Sequence, residues 1–492
     1  MAFLKTHIIL FAVFASVFQV AGAQQKDQCS TCHEALGDKP TQLFAQDSHA
    51  KKGLSCADCH GGNRNSEDVE EAMNKSRGFL GVPKGDDISK MCASCHSNSE
   101  RMKSYGSRLP ANQWETLLTS VHGKLSTTGK DHIAQCTTCH NAHGIVAVDN
   151  PASPVHPLNA TKTCARCHSS AAFMRNYNPS LPVDQLEKYR TSVHGMKNAR
   201  GDVRTAECAS CHGSHDIRSA GDAKSKVHAR NLPATCARCH ADAEYMKGYK
   251  IPTDQYAKFT KSVHGVALLQ KRDLAAPACN DCHGNHGAIP PGVESISKVC
   301  GTCHALNADL FSASPHKKAF DERRLPECET CHGNHEIIAV TDKLLGVGPD
   351  AVCSRCHSET ENKKGFTAAQ NMRGLIDSLD ASKNHATSLI EESEQKGMEV
   401  SEARFKLREV HQARLESRTM VHGFNEQRFR EVVEKGMKTA AAVSQEGESA
   451  LGEYIYRRMG LGVSTLIISV LAVSLYLFIR RLERRQAGKI RS

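Results

Sequence analysis

The chain has 492 residues, 63 Lys and Arg against 53 Asp and Glu for a formal charge of +10, and only 39% hydrophobic residues with one tryptophan, Trp114. Length alone fits about three domains of roughly 150 residues. The hydrophobic content, below the roughly 45–50% of ordinary soluble domains, excludes three conventional side-chain cores, so another material must fill the interior.

Taken from the N-terminus, residues 1–23 have the layout of a secretory leader: Lys5, an apolar run over 8–20, and the small-residue site Ala21-Gly22-Ala23 before Gln24. An exported chain rich in cysteine raises the expectation of disulfides. Spacing overrides it. All 22 cysteines fall into eleven Cys-x-x-Cys-His runs, whose cysteines are Cys29 and Cys32, Cys56 and Cys59, Cys92 and Cys95, Cys136 and Cys139, Cys164 and Cys167, Cys208 and Cys211, Cys236 and Cys239, Cys279 and Cys282, Cys300 and Cys303, Cys328 and Cys331, and Cys353 and Cys356. No thiol remains for a bridge.

Cys-x-x-Cys-His is the attachment signature of c-type haem: two thiols bond the porphyrin vinyl groups and the adjacent histidine reaches the iron. Zinc sites and redox dithiols share Cys-x-x-Cys, but neither requires the following histidine eleven times. Eleven covalently bound c-type haems are therefore expected, with proximal ligands His33, His60, His96, His140, His168, His212, His240, His283, His304, His332 and His357. The remaining histidines outnumber the eleven distal positions. Ligation by two histidines at each iron would leave no open position for substrate, which favours electron transfer over catalysis. Twenty-two propionates also turn the basic excess into internal neutralisation rather than a nucleic-acid surface.

The motifs are arranged as a repeat. Three segments share one pattern: Met102, Tyr105, Pro110, Gln113 and Ser120-Val121-His122-Gly123; Met174, Tyr177, Pro182, Gln185 and Ser192-Val193-His194-Gly195; Met246, Tyr249, Pro252, Gln255 and Ser262-Val263-His264-Gly265. Degenerate copies are Ser48-His49 and Ser314-Pro315-His316. Five two-haem modules and a terminal single motif at Cys353 result. Expected distal ligands are the histidines of these segments, His49, His122, His194, His264 and His316, and those three residues after a proximal histidine, His143, His215, His286 and His335. The latter are too close to their own haem to reach its far face and so serve a neighbour. His156 and His228, each eight residues before a motif, complete the set. The repeat methionines are read as packing against porphyrin.

With about 30 residues per haem, residues 24–358 should fold as short helices and loops around a haem stack. Beyond them, residues 359–458 are rich in helix formers and read as two or three long amphipathic helices with turn signals near Gly397 and Gly436. His385, His411 and His422 lie there, one of them a candidate to cap an unliganded haem such as that at Cys353, while His132 has no assigned role. Residues 459–479 carry no charge and are long enough to span a bilayer. Arg480, Arg481, Arg484, Arg485, Lys489 and Arg491 follow, which places residues 480–492 in the cytoplasm and the haem region in the periplasm of a bacterial inner membrane. The expected fold class is mostly α with large irregular content, a haem-packed region followed by long helices and one transmembrane helix.

At Cys-x-x-Cys-His-x-x-His and Ser-Val-His-Gly, residues 29–357 resemble the paired-haem multihaem cytochromes of anaerobic respiratory bacteria, including periplasmic decahaem electron conduits. Val421-His422-Gly423-Phe424 is similar to the C-terminal helices of the pentahaem nitrite reductase and octahaem hydroxylamine oxidoreductase group. No motif here ends in lysine, as that reductase's active-site haem does, and eleven motifs exceed either family's number. The resemblance implies a membrane-anchored electron carrier between a quinol-oxidising membrane partner and other periplasmic or outer-membrane cytochromes, rather than an enzyme. The competing reading is a reductase of a small nitrogen or sulfur oxyanion with one five-coordinate haem; a quinol dehydrogenase in its own right is disfavoured by the single spanning helix.

Overall fold

The computed structural model describes residues 27–291 and 296–489, so the leader and the last three residues of the basic tail lie outside the described residues. The described residues are mostly helical and form no strand, only an isolated bridge between Leu125 and His132. Two compact units divide the chain, Met1–Thr235 with Asn285–Ala288, and Cys236–Gly284 with Ile289–Ser492.

The first unit consists of short helices joined by tight turns. Each even-numbered motif is itself a helix of about one turn, as in Cys56–His60, Cys136–His140 and Cys208–His212. The residue that ends it has positive φ: Gly61, Asn141 and Gly213 here, Gly284 and Gly333 in the second unit. Glycine tolerates that conformation and asparagine is the commonest substitute, which accounts for the repeated Cys-His-Gly and the single Cys-His-Asn. A sharp stop there turns the chain away from the motif immediately after the histidine.

The Ser-Val-His-Gly segments at Ser192 and Ser262 begin a new helix against the end of the previous one, while that at Ser120 forms a turn. Ser192 Oγ accepts from Gly195 N–H at 2.9 Å and donates to Tyr189 O at 2.6 Å, and Ser262 does the same with Gly265 N–H and Phe259 O. These are N-caps that also satisfy the last carbonyls of the preceding helix. A Cβ on Gly123, Gly195 or Gly265 would collide with the backbone carbonyl oxygen of Leu117, Tyr189 or Phe259. That close approach explains the glycine. In the first module Asp47, not Ser48, holds the capping place: its carboxylate accepts from His49 N–H at 2.9 Å, and it is only 1% exposed.

The second unit continues the motif array and then forms three long helices, Lys363–Gln395, Ser401–Met420 and Glu426–Lys489. A left-handed Gly397 (φ +76) ends the first, and Asn425 caps the third by accepting from Arg428 N–H. Met372, Ile376, Leu379, Ile390, Val410, Phe429, Val433 and Val443 fill the space between them. Gly436, expected at a turn, lies inside the third helix. A Cβ there would sit 2.8 Å from Ala413 Cβ, so glycine lets the helices approach.

The third helix runs 64 residues without a break, about 95 Å at 1.5 Å per residue. Its first part packs in the bundle and its remainder, including residues 459–479, exposes Leu461, Leu466, Leu471 and Phe478. It is the one helix among the described residues long and apolar enough to cross a membrane.

Candidate metal centres

Proximal histidines are fixed by the motif helices, and what faces them is fixed by the repeat. The ring of His49 lies 5.9 Å from that of His96, centre to centre; His60 lies 6.1 Å from His143, His122 6.0 Å from His168, His140 6.1 Å from His215 and His212 6.1 Å from His286. In the second unit His264 lies 6.2 Å from His304, His283 5.9 Å from His335, His316 5.8 Å from His357 and His332 6.1 Å from His422. This spacing suits a metal between two imidazoles, since roughly 2 Å from each nitrogen to the metal and about 1 Å from nitrogen to ring centre total close to 6 Å. The residues therefore fit six-coordinate haem iron.

Backbone acceptors orient several of these rings. His60 Nδ1 donates to Gly81 O at 2.9 Å and His422 Nδ1 to Thr419 O at 3.0 Å, which leaves Nε2 with a free lone pair, the tautomer a metal needs. Burial first, and the facing imidazole second, push His122, His140, His212, His264, His316 and His332 below the ordinary histidine pKa. Neutral imidazoles, the form a metal binds, result. Asp47 holds His49 in place, accepting from its Nδ1 at 2.8 Å and from Ile145 N–H at 2.7 Å; although burial opposes it, these bonds keep the carboxyl below its usual range.

The pairing follows a reciprocal rule. The capped segments of His49, His122 and His264 place a ring against the first motif of the next module, as His122 does against His168, and each Cys-His-x-x-His places one against the second motif of the previous module, as His143 does against His60. A backbone bond accompanies every exchange: Ser48 N–H to Ile145 O, Val121 to Ile217, Val193 to Ala288 and Val263 to Ile337, each acceptor two residues beyond the donated histidine. Within modules the first cysteines touch. Cys92 lies beside Cys136, Cys164 beside Cys208, Cys236 beside Cys279 and Cys300 beside Cys328. Between modules Cys59 and Cys95, Cys139 and Cys164, Cys282 and Cys300, and Cys331 and Cys353 lie near enough to act on each other.

Several histidines stand elsewhere. His156 Nδ1 accepts from Leu158 N–H at 3.2 Å, and His228 Nδ1 from Arg230 N–H at 3.3 Å, in matching turns stapled by Asn159 and Asn231. With Nδ1 accepting, Nε2 carries the proton, so these two expected ligands are arranged as donors. His422 takes a place instead, opposite His332 rather than the His357 of the terminal motif. Helical periodicity hid this, because the second long helix ends at Met420 and His422 sits in the turn Val421–Gly423. His385 and His411 are exposed, and His132 is bonded to Asp86 at 2.7 Å beside Trp114. His194 and His240 are both engaged.

His33 is the exception. Its Nδ1 lies 2.5 Å from Asp38 Oδ2, both side chains are 44% exposed, and no second imidazole faces it among the described residues.

Histidines that face one another across gaps of one metal ion, next to Cys-x-x-Cys-His motifs, suit attachment of c-type haem. A family model described as cytochrome c3 matches residues 48–169, a span that holds the second to fifth motifs, and the likeness is confined to that span. No curated protein and no solved structure is matched by the chain.

Proposed function

We propose that this chain is a membrane-anchored periplasmic cytochrome that binds eleven c-type haems through its 22 motif cysteines and passes electrons between a membrane quinol-oxidising partner and periplasmic or outer-membrane cytochromes. The observation that carries the reading is the reciprocal exchange of imidazoles between neighbouring modules at 5.8–6.2 Å. Haem iron, when bound, supplies one-electron redox chemistry; the residues supply attachment, two axial nitrogens and burial, which set each potential. His49, His122, His143, His215, His264, His286, His316, His335 and His422 are the distal ligands on this reading, and His194 holds the same place in the third module. His156 and His228 serve as Nε2–H donors to an anionic acceptor such as a propionate.

Ligands borrowed between modules hold successive haems in chain order, and touching first cysteines bring the two haems of a module together. Such an order supports a wire within each unit. The exposed apolar end of the third long helix supports anchoring, with the arginines after it on the cytoplasmic side. Intact-protein mass of the membrane-extracted chain should show eleven added haems, and removal of residues 459–492 should move the haem-loaded protein to the soluble fraction. Fewer than eleven haems, or a truncated chain still held by the membrane, would sink the corresponding half of the proposal.

A further inference from the structure

We propose that the first motif, Cys29-Ser30-Thr31-Cys32-His33, holds an iron whose distal face is open, a binding site for a small lone-pair donor of the class of carbon monoxide, nitric oxide, nitrite or hydroxylamine. The inference rests on the haem reading above. Its argument is the exchange rule. The first motifs at His96, His168 and His304 receive their second ring from the capped segment of the module before, as His96 receives His49 and His304 receives His264. The first motif of the first module has no such donor among the described residues, and the one histidine ahead of it in the sequence is His7. At the other end of the array the corresponding gap is filled: His332, whose partner by the rule would belong to a further module, faces His422 from the long-helix region. One end is capped by a substitute and the other is not.

Local structure agrees with an accessible site. The motif helix Gln28–Ala35 buries none of its residues, Cys32 is exposed, and Leu36 beyond it is 75% exposed. Asp38 distinguishes the proximal side. Where His60 donates to a backbone carbonyl, His33 faces a carboxylate at 2.5 Å, and a carboxylate acceptor makes an imidazole a stronger donor to its metal. Asp38 is thus a positioning residue. It orients His33 and strengthens the proximal bond without reaching the ligand's side.

The test uses the full-length, haem-loaded protein in detergent. Electron paramagnetic resonance of the oxidised form should show one high-spin haem per chain, and carbon monoxide titration of the reduced form one bound equivalent. The double variant Cys29→Ala/Cys32→Ala should carry ten haems and lose both signals. Should it fail to accumulate, Asp38→Asn keeps the haem and should lower the iron–histidine stretching frequency of the high-spin centre and raise its potential, with Asp38→Glu restoring both. Eleven low-spin haems without carbon monoxide binding would overturn the inference, whether His33 is met by another residue or by a second chain. So would signals that persist in the double variant, or a stretching frequency indifferent to Asp38. A wild-type chain with fewer than eleven haems would instead overturn the proposed function, so the two failures are distinguishable.

Discussion

Residues 27–357 and residues 363–489 solve the problem of an interior in opposite ways. The first stretch buries few large apolar side chains, Met102, Met174, Met246, Leu268, Phe311 and Phe320 among them, and many small polar ones, Ser55, Ser89, Ser120, Ser153, Ser192 and Ser262. All but Ser153 use the hydroxyl to hold backbone or a neighbouring side chain. The second stretch assembles one continuous apolar cluster from three helices. Long helices can stand on side-chain packing alone, whereas helices of five to nine residues are too short to persist without tertiary support. In the first region the proposed haems would supply that support through covalent attachment and ligation; in the second the chain carries its own.

The two regions meet at His422, so His422→Ala is the sharpest way to break the comparison. One motif of the eleven should change completely, from two axial histidines to one, and appear as an additional high-spin haem by paramagnetic resonance. A spectrum identical to wild type would mean that the long helices contribute no ligand.

Phe429→Ala empties a fully buried site in the long-helix core and should cost about 3–5 kcal/mol. Helical circular dichroism of the bundle should melt at lower temperature while the haem absorption of the remaining modules holds. If both are lost in one transition, the regions do not stand on separate foundations.

Arg414 is 5% exposed on the second long helix and binds Asp380 through Nε at 2.8 Å, with its Nη2 on Asp342 of the short turn Asp342–Leu344 that precedes the first long helix. Arg414→Ala removes the nearest cation from two half-buried carboxylates, leaving Arg418 at 3.6 Å from Asp342 and Lys383 at 3.8 Å from Asp380, and should cost about 1–3 kcal/mol by thermal unfolding. Burial raises the Asp342 carboxyl, yet the hydrogen bond and charge of Arg414 hold it below the ordinary carboxylate range. A folded pKa below the unfolded one means that this stabilisation is complete above about pH 4 and fades as pH falls through the folded value. Asp342→Asn should flatten that part of the acid dependence of melting temperature; an unchanged slope would assign it elsewhere.

Ser192→Ala is the smallest change. It removes a cap from the segment that presents His194 and should cost about 1 kcal/mol in chemical denaturation without altering haem count. A larger loss would show that capping also positions the ligand.

Much of the site was legible as spacing. Eleven motifs, the capped histidine segments and the Cys-His-x-x-His pattern are local, and the rule that a histidine three residues on must serve a neighbour follows from the length of the chain between them. Register was less legible. Ser48 looks like the repeated serine, but the backbone bond of Ser48 N–H to Ile145 O aligns it with Val121 and gives the cap to Asp47. His156 and His228 look like spare ligands in sequence, yet their turns consume Nδ1.

The sequence by itself determined the positions of the Cys-x-x-Cys-His motifs, that the segments between them repeat, and that a helical region with an uncharged span follows, because each of these is written in short runs of residues along the chain. Only the tertiary structure decided which ring faces which, that Gly436 joins helices rather than ending one, and that His33 is left facing Asp38. The first two outcomes depend on contacts between residues tens of positions apart, and the third on a turn that brings Asp38 back to His33 five residues away; no simple spacing rule encodes them.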